Sequence, residues 1–218
     1  MLDRKKLLLY AITDRRSQPI DEFIASVEEA LRGGVTILQL REKNISRDEY
    51  VQIASQLLPV CRKYSVPLII NDDADAALAA GADGVHLGAC DASVREVRKR
   101  AGKDFIIGAT AKTVDQALRA EEEGADYLGV GAVFHSPTKP GAVRITPDRL
   151  REICSSVSIP AVAIGGISAE NALSLSGTFV SGLAVVSAVF GAGDVFGAAK
   201  RMKKLALAVC GTDKEGRE

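Results

Sequence analysis

The chain has 218 residues, is 47% hydrophobic, and balances 28 Lys and Arg against 28 Asp and Glu, so its formal net charge is zero. This length fits one domain with a full core, and the balanced charge gives no indication of binding to nucleic acid or to an anionic membrane surface. The four cysteines are widely spaced, which predicts reduced thiols in a cytoplasmic protein rather than disulfides or a zinc site.

An apolar run over residues 7–12 follows three basic residues near the N-terminus. It is too short for a secretory signal, and no other segment approaches the roughly 18 consecutive apolar residues that a membrane span needs. We therefore expect a protein without membrane association.

Segments with strand and helix patterns alternate along the chain. The predicted strands are 7–13, 35–43, 66–71, 84–88, 105–110, 127–133, 161–164 and 183–186. The predicted helices are 21–32, 47–64, 74–80, 91–101, 113–123, 147–157, 169–175 and 194–209. Ser46 is the predicted N-cap of the second helix, because Glu49 follows at the spacing of a capping box.

This alternation predicts the fold class. Short connections and strands that are apolar on both faces indicate an all-parallel sheet, and eight strand–helix units predict closure into a single-domain (β/α)8 TIM barrel over residues 1–210. An open doubly wound sheet is the alternative, but its Gly-x-Gly-x-x-Gly fingerprint is absent after the first strand. Two Gly-Ala-Asp turns, at 81–83 and 124–126, indicate a shared helix-to-strand connection. The charged segment 211–218 is predicted to be a disordered tail.

The second strand changes from apolar to cationic along one face. Side chains alternate across a strand, so Val35, Ile37, Gln39, Arg41 and Lys43 share the face that we expect to look into the barrel. Val35 and Ile37 would fill the interior, whereas the three polar residues would lie at the C-terminal mouth, where barrels of this class place their active sites. Two cations at the mouth predict an anionic substrate.

Other strand ends add a predicted metal site and phosphate site. Asp72 and Asp91 end neighbouring strands, and Mg²⁺ is commonly held by one or two carboxylates together with water and substrate phosphates. Gly165-Gly166 and Ser187 follow the seventh and eighth strands, where barrels often bind phosphate through backbone N–H groups. The loop over 136–139 adds hydroxyls and a cation and is long enough to act as a lid.

Each of these features also has a structural explanation. Glu42 could pair with a neighbouring cation beside a solvated loop, and Asp91 or Asp73 could be a helix N-cap. The Gly165-Gly166 pair could form an ordinary turn. We interpret His86 as a buried histidine that satisfies local hydrogen bonds, whereas His135, on the predicted lid, is a candidate substrate contact.

Taken together, the chain resembles the thiamine-phosphate synthase family along nearly its whole length. The motifs that carry this resemblance are Gln39–Lys43, Asn71–Asp73, Gly84–Gly88 followed by Asp91, Ser136–Lys139, Ile164–Ile167 and Val186–Ala188. The resemblance implies a (β/α)8 barrel that joins a hydroxymethylpyrimidine diphosphate to a thiazole phosphate, with release of pyrophosphate, so both partners would be small molecules.

The resemblance also implies roles for individual residues. It implies that the pyrimidine diphosphate is bound by Gln39, Leu40, Arg41, Glu42, Lys43, Asn71, Thr110 and Lys139. Of these, it implies that Arg41, Lys43, Thr110 and Lys139 act in catalysis. It implies that the thiazole phosphate is bound by Ser136, Pro137, Thr138, Gly166, Val186 and Ser187. Finally, it implies that Asp72 and Asp91 hold Mg²⁺.

The sequence departs from the family pattern at four positions. The family usually has Gln, Ser, His and Pro where this chain has Ala89, Thr110, Lys112 and Ala132. These departures keep one alternative open, a thiazole tautomerase, which needs neither metal nor diphosphate. A separate alternative is a regulator that binds thiazole or thiamine phosphates without turnover. The presence of the metal and diphosphate motifs favours the synthase.

Overall fold

The computed structural model describes residues 2–15, 18–136, 141 and 143–211. Eight parallel strands pair in chain order, and β1 also pairs with β8, which closes the sheet into a barrel and confirms the predicted TIM-barrel fold. The strands are β1 Leu9–Ile12, β2 Ile37–Leu40, β3 Leu68–Asn71, β4 Gly84–Leu87, β5 Ile106–Ala111, β6 Tyr127–Gly131, β7 Ala161–Ile164 and β8 Gly182–Val185.

Helices surround this barrel. They are α1 Ile20–Arg32, α2 Arg47–Lys63, α3 Ala74–Ala80, α4 Val94–Ala101, α5 Val114–Glu122, α6 Pro147–Ser156, α7 Ser187–Phe190 and α8 Val195–Gly211. A 3₁₀ helix, Arg4–Leu7, precedes β1. Within the described part of the chain, no helix has the length and apolar character that crossing a membrane would require.

The predicted helix over 169–175 is wrong, because only the 3₁₀ turn Ala172–Leu175 forms after β7. The Ser168 hydroxyl accepts from the Glu170 amide, and the Ser174 hydroxyl donates to the Asn171 carbonyl. Such side-chain bonds to the backbone compete with helix formation. At the other end of the chain, Gly211 is the last residue of α8 rather than the first of a tail, and residues 212–218 lie outside the described residues.

Side-chain caps begin several helices. The Ser46 hydroxyl accepts the Glu49 amide at 3.2 Å, which confirms the predicted cap of α2. Asp73 caps α3 by accepting the Ala76 amide at 2.8 Å, so the N-cap interpretation of this aspartate is confirmed. Asp91 is not a cap, since α4 starts after Ser93.

The two Gly-Ala-Asp segments form the same helix-to-strand turn, as predicted. Gly81 and Gly124 have positive φ values of 67° and 96°, a conformation that glycine adopts without a steric penalty. The following aspartates, Asp83 and Asp126, accept the amides at the start of the preceding strands, from Leu68 and from Ile107, each at 2.8 Å. The repeat therefore has a structural cause.

The barrel buries two separate cores. An outer layer of aliphatic residues, including Leu38, Leu40 and Leu57, packs between strands and helices. A smaller inner core fills the barrel and contains Leu7, Tyr10, Ile12, Ile37, Ile69, Tyr127, Val162 and Ala184.

Val35 belongs to the outer layer, so its predicted place in the interior is wrong. Its amide donates to the Ala30 carbonyl at 3.2 Å and closes the turn after α1. The strand itself begins only at Ile37, and the alternation of faces does not extend back to Val35.

Candidate active site

Four polar residues lie at the C-terminal ends of consecutive strands, and all but His86 were predicted for the site. Gln39, Asn71, His86 and Thr110 belong to β2, β3, β4 and β5, and Asn71 stands directly beside His86 in the parallel register. Gln39 alternates with the interior residue Ile37. Strand alternation therefore directs these side chains into the mouth of the barrel, which is where the sequence predicted the site.

Leu40 does not share this orientation. Its side chain is fully buried in the outer layer, so a role for that side chain in binding substrate is not supported. The carbonyl of Leu40 accepts from the Tyr50 hydroxyl at 2.7 Å, which ties α2 to the end of β2. Arg41 follows and is partly buried at the mouth, and its amide donates to the Thr13 hydroxyl at 3.0 Å.

A cation and two carboxylates meet beside these strand ends. Lys43 Nζ lies 2.7 Å from Asp72 Oδ2, although the two residues are 29 positions apart. The carboxyls of Asp72 and Asp91 lie close enough for each to shift the pKa of the other. Asp91 Oδ2 also accepts the Gly88 amide at 2.6 Å, and this bond holds the loop after β4. The structure thus brings together three residues that the sequence assigned to diphosphate and metal.

The two carboxyls have opposite pKa shifts. Burial by itself would raise the pKa of Asp72, but hydrogen bonds from Lys43 and with Asp91 outweigh it and lower that pKa. Partial removal from water raises the pKa of Asp91, and the Asp72 carboxylate adds to the rise while the Gly88 amide opposes it. Adjacent carboxyls behave in this way because their like charges repel each other. A bound cation would relieve that repulsion.

The donor set fits a magnesium ion of the kind that keeps several waters. Among the described residues there is no group of three or more His, Cys, Asp or Glu side chains suited to a metal. Mg²⁺ is often bound by one or two carboxylates, with water and substrate phosphate oxygens completing its octahedron. Asp72 and Asp91 supply that number of carboxylates.

Glu42 forms an ion pair inside the rim rather than facing solvent. Its side chain is 6% exposed, and Oε2 lies 3.3 Å from the guanidinium of Arg15. Burial raises the pKa of Glu42, and Arg15 opposes the rise. The interpretation in which Glu42 pairs with a neighbouring cation is therefore confirmed. Sequence reasoning missed Arg15 as the partner, because it lies in the loop after β1, and the parallel pairing of β1 with β2 brings it beside the end of β2.

A continuous chain of hydrogen bonds crosses the barrel interior. Gln39 Nε2 donates to the Tyr10 hydroxyl at 2.8 Å, and the hydroxyls of Tyr10 and Tyr127 are 2.7 Å apart. The Tyr127 hydroxyl lies 3.1 Å from His86 Nδ1, and His86 Nε2 lies 3.1 Å from the Thr110 hydroxyl. Two predicted substrate contacts are thus the two ends of one buried chain.

Burial keeps the members of this chain uncharged. It lowers the pKa of His86 to about 4 against a weaker opposing effect of the Asp72 charge, so the imidazole is neutral at pH 7. Burial also raises the pKa of both Tyr10 and Tyr127 well above the ordinary tyrosine value. The prediction that His86 satisfies local hydrogen bonds is confirmed. The two tyrosines were not predicted as polar residues, since within apolar strands they match an ordinary core pattern.

The glycine pair after β7 packs against the loop after β6. Gly165 and Gly166 both have positive φ values, 103° and 64°. A Cβ on Gly166 would come within 2.1 Å of the His135 carbonyl, and one on Gly165 within 2.5 Å of Ala132. Asn171, which the sequence analysis missed, donates to the Gly166 carbonyl at 2.9 Å. A close approach of two loops therefore requires these glycines, whatever else they bind.

The remaining predicted residues surround the same end of the barrel. Ser136 follows the loop that contacts Gly166, Val186 packs on the inner core, and Ser187 begins α7 after β8. Their roles in binding a thiazole phosphate stay predictions. Three further predicted residues, Pro137, Thr138 and Lys139, lie outside the described residues.

Comparison with known proteins gives a consistent family. The family model described as thiamine monophosphate synthase matches residues 9–189. Thiamine-phosphate synthase 2 of Streptococcus pneumoniae serotype 4 is 46% identical over 194 residues, which cover 89% of this chain and 92% of that protein. Thiamine-phosphate synthase of Ruminiclostridium cellulolyticum is 44% identical over 197 residues, which cover 90% of this chain and 94% of that protein.

A solved structure supports the same relationship. Thiamine phosphate pyrophosphorylase from Pyrococcus furiosus superposes with a TM-score of 0.85 at 44% sequence identity, and the match covers 94% of this chain and 98% of that one. The family match over residues 9–189 includes every strand of the barrel and the strand-end motifs described above, which confirms the resemblance found in the sequence. The chain belongs to the thiamine monophosphate synthase family.

Proposed function

We propose that this protein is a Mg²⁺-dependent thiamine-phosphate synthase that couples 4-amino-2-methyl-5-hydroxymethylpyrimidine diphosphate to a thiazole phosphate. The observation that carries the proposal is the contact among Lys43, Asp72 and Asp91 at the barrel mouth, in a chain related along its length to proteins of that name. A cation beside two carboxylates suits a substrate that arrives as a diphosphate with its metal.

The reaction needs a leaving group to depart before a nucleophile attacks. The bond between the pyrimidine methylene carbon and the diphosphate oxygen breaks, and its electron pair leaves with pyrophosphate. The aminopyrimidine ring stabilises the positive carbon, and the thiazole nitrogen then forms the new C–N bond. That nitrogen carries no proton, so the reaction requires no general base, in keeping with a His86 whose two ring nitrogens are both engaged within the barrel.

In this proposal the residues act by neutralising charge and by holding the reactants in line. Asp72 and Asp91 would hold Mg²⁺, which supplies positive charge to the departing diphosphate. Lys43 would add positive charge beside them, as would Arg41 and Lys139. The Thr110 hydroxyl would contact the diphosphate, and Gln39 and Asn71 would bind the pyrimidine. The loops that carry Ser136, Gly166 and Ser187 would bind the thiazole phosphate.

The two alternatives are not favoured. A thiazole tautomerase uses neither metal nor diphosphate, so it would not require the contact of Lys43, Asp72 and Asp91 at the mouth. A regulator without turnover would bind thiazole or thiamine phosphates and release no pyrophosphate. Both alternatives share the barrel, and the reaction products therefore separate them from the synthase.

The test is to incubate the purified protein with both substrates and to measure thiamine phosphate and pyrophosphate across a range of Mg²⁺ concentrations. The synthase should form the two products in equal amounts and only with the metal. Asp72→Ala should raise the Mg²⁺ concentration for half-maximal rate by about tenfold or more, with a nearly unchanged melting temperature. Asp75→Ala, in the nearby pairs with Arg47 and Arg100, is the matched control.

Product formation at full rate without any divalent ion would contradict the metal assignment. Absence of product with the metal present would contradict the synthase itself. Three further statements stay predictions: that the catalytic domain ends at residue 210, that the protein acts in the cytoplasm, and that it forms a homo-oligomer.

A further inference from the structure

We propose that Tyr10, Tyr127 and His86 are positioning residues that turn the Thr110 hydroxyl hydrogen toward the barrel mouth, where it donates to the anionic substrate. The assignment of a substrate anion to that mouth rests on the proposed function. The orientation of the hydroxyl rests only on the buried hydrogen-bond chain. These three residues would not touch the reactants.

The donors and acceptors of the hydrogen-bond chain define a single direction of donation, from Gln39 to Thr110. Gln39 donates an amide hydrogen to the Tyr10 hydroxyl oxygen. Tyr10 must then place its own hydrogen on another acceptor, and the Tyr127 oxygen, 2.7 Å away, is such an acceptor. Tyr127 in turn donates to His86 Nδ1, 3.1 Å away. With the Gln39 amide nitrogen facing Tyr10, the opposite direction would leave the Tyr10 hydrogen in the apolar inner core without an acceptor, which is costly.

The direction of the chain determines which ring nitrogen of His86 carries the proton. Because Nδ1 accepts from Tyr127, the hydrogen of the imidazole is on Nε2. Nε2–H then donates to the Thr110 oxygen at 3.1 Å. Thr110 has used its oxygen as an acceptor on the inner side, so its own hydrogen is free to point outward. Among the described residues, the Thr110 hydroxyl has no other hydrogen-bond partner.

Neighbouring glycines give the chain its space. A Cβ on Gly108 of β5 would come within 2.1 Å of the Tyr127 ring, and one on Gly129 of β6 within 2.9 Å of His86 Cε1. Neither glycine has the positive φ at which a side chain is strained. The two glycines therefore leave room in the interior for the Tyr127 phenol and the His86 imidazole. An interior filled with apolar side chains alone would not need glycine at these two positions.

A fixed hydroxyl is useful for the proposed reaction. A free threonine hydroxyl can rotate and can either donate or accept. One that is held as an acceptor on its inner side presents a donor to the mouth, where negative charge grows on the leaving diphosphate. A donor that is oriented in advance costs no reorganisation when the charge appears.

The first experiment reads the tautomer directly and requires no substrate. In ¹⁵N-histidine-labelled protein, nitrogen chemical shifts and long-range couplings identify the protonated ring nitrogen, and His135→Gln assigns the two histidines. We expect His86 to carry its proton on Nε2 and to change in Tyr127→Phe, where Nδ1 loses its donor. A proton on Nδ1 in the wild type would overturn the proposed direction, whether or not the protein is a synthase.

The second experiment asks whether Tyr127 acts through Thr110. Tyr127→Phe and Thr110→Val each remove one hydroxyl with little change of shape, and each should lower kcat about tenfold. If both act through the same donor, the double variant should also lose about tenfold. A loss of about 100-fold in the double variant would mean independent effects and would contradict the relay.

A pair of His86 variants provides a rescue control that does not depend on Tyr127→Phe folding. The Gln side chain reaches the position of Nε2 and can donate to Thr110, whereas the Asn side chain reaches only the position of Nδ1. His86→Gln should stay within about threefold of the wild-type kcat, and His86→Asn should lose about tenfold. Equal losses in the two variants would indicate a purely structural histidine. A wild type with no synthase activity would count against the proposed function alone, since the tautomer remains measurable.

Discussion

The layer between strands and helices and the interior of the barrel are both closed to water, yet they contain different chemistry. The outer layer is built mainly from aliphatic side chains such as Leu38, Leu57 and Leu150. The interior is smaller and carries hydroxyls, an amide and an imidazole within its apolar residues. Polar groups in a core lower stability unless every one is bonded, so their presence at one place needs a reason.

The difference indicates a division of work between the two cores. The outer layer buries apolar area and supplies stability. The interior contributes less area, but its hydrogen-bond chain ends at Gln39 and Thr110, which lie at the mouth. Proteins commonly depart from the simplest core rules at functional sites. We therefore expect changes at the mouth to lower activity while stability is kept, and changes in the outer layer to do the reverse.

The largest expected effect is on turnover, at a cation that the family resemblance assigns to the diphosphate. Lys139→Ala should lower kcat by roughly 100-fold or more, because one charge that stabilises the departing diphosphate is removed. Steady-state kinetics of pyrophosphate release would measure the loss, while the melting temperature should hardly change. Lys103→Ala, on the exposed loop before β5, is the control for loss of a lysine. Unchanged turnover in Lys139→Ala would indicate a solvated loop residue instead.

The reverse effect is expected in the outer layer. Leu57 of α2 is fully buried, and Leu57→Ala should lower the free energy of unfolding by about 2–5 kcal/mol through lost burial and a cavity. Urea denaturation would measure this, and kcat of the folded protein should be unchanged. Leu207→Ala, at a side chain that is 54% exposed, is the matched control and should have a small effect. A large loss of kcat in Leu57→Ala would contradict the proposal that the outer layer supplies stability and the interior supports activity.

A pH effect should come from the interior. The pKa of His86 falls from 6.5 to about 4 on folding, so the unfolded chain binds more protons between these values. Stability therefore falls as the pH is lowered from 7 to 4, and this histidine should account for about 3 kcal/mol of the fall. Urea midpoints of wild type and His86→Gln at both pH values would show it, because effects of other groups are common to both proteins. Parallel curves would mean that His86 titrates normally.

The smallest effect is expected at the helix surface. Ser46→Ala removes the hydroxyl that caps α2 and should cost about 1 kcal/mol of stability. Ser55→Ala in the same helix removes a hydroxyl that donates to the Val51 carbonyl, and it should change little. Both variants should keep the wild-type kcat. A change in kcat for either variant would show that the outer helices affect catalysis at the mouth, and it would contradict the division between the two cores.

Much of the fold was predictable because its signals are local. The spacing of apolar residues defined most strands and helices, and the bounds of β7 and α3 agree with the prediction residue for residue. The failures occurred where tertiary or backbone interactions replace periodicity. Val35 serves the turn after α1, and side-chain bonds to the backbone reduce the segment after β7 to the single turn Ala172–Leu175.

The candidate site was predictable as a set of strand ends but not as a network. Parallel strands end at one rim, so polar residues such as Asn71, Asp72 and Thr110 could be grouped from their positions alone. The partner of Glu42 could not be found, since Arg15 comes from another loop. The hydrogen bonds of Tyr10 could not be predicted either, because its apolar neighbours in the sequence indicate an ordinary core residue.

The sequence by itself determined the alternation of strands and helices, the closed parallel barrel and the rim where polar side chains gather, because each follows from short-range periodicity and from the direction of parallel strands. Only the tertiary structure decided that Tyr10 meets Tyr127, 117 residues later, and that a hydrogen-bond chain links Gln39 to Thr110. A pattern along the chain shows which face a side chain occupies. The pattern cannot show which side chain lies opposite across the barrel. That pairing depends on closure of the barrel and on the space left by Gly108 and Gly129.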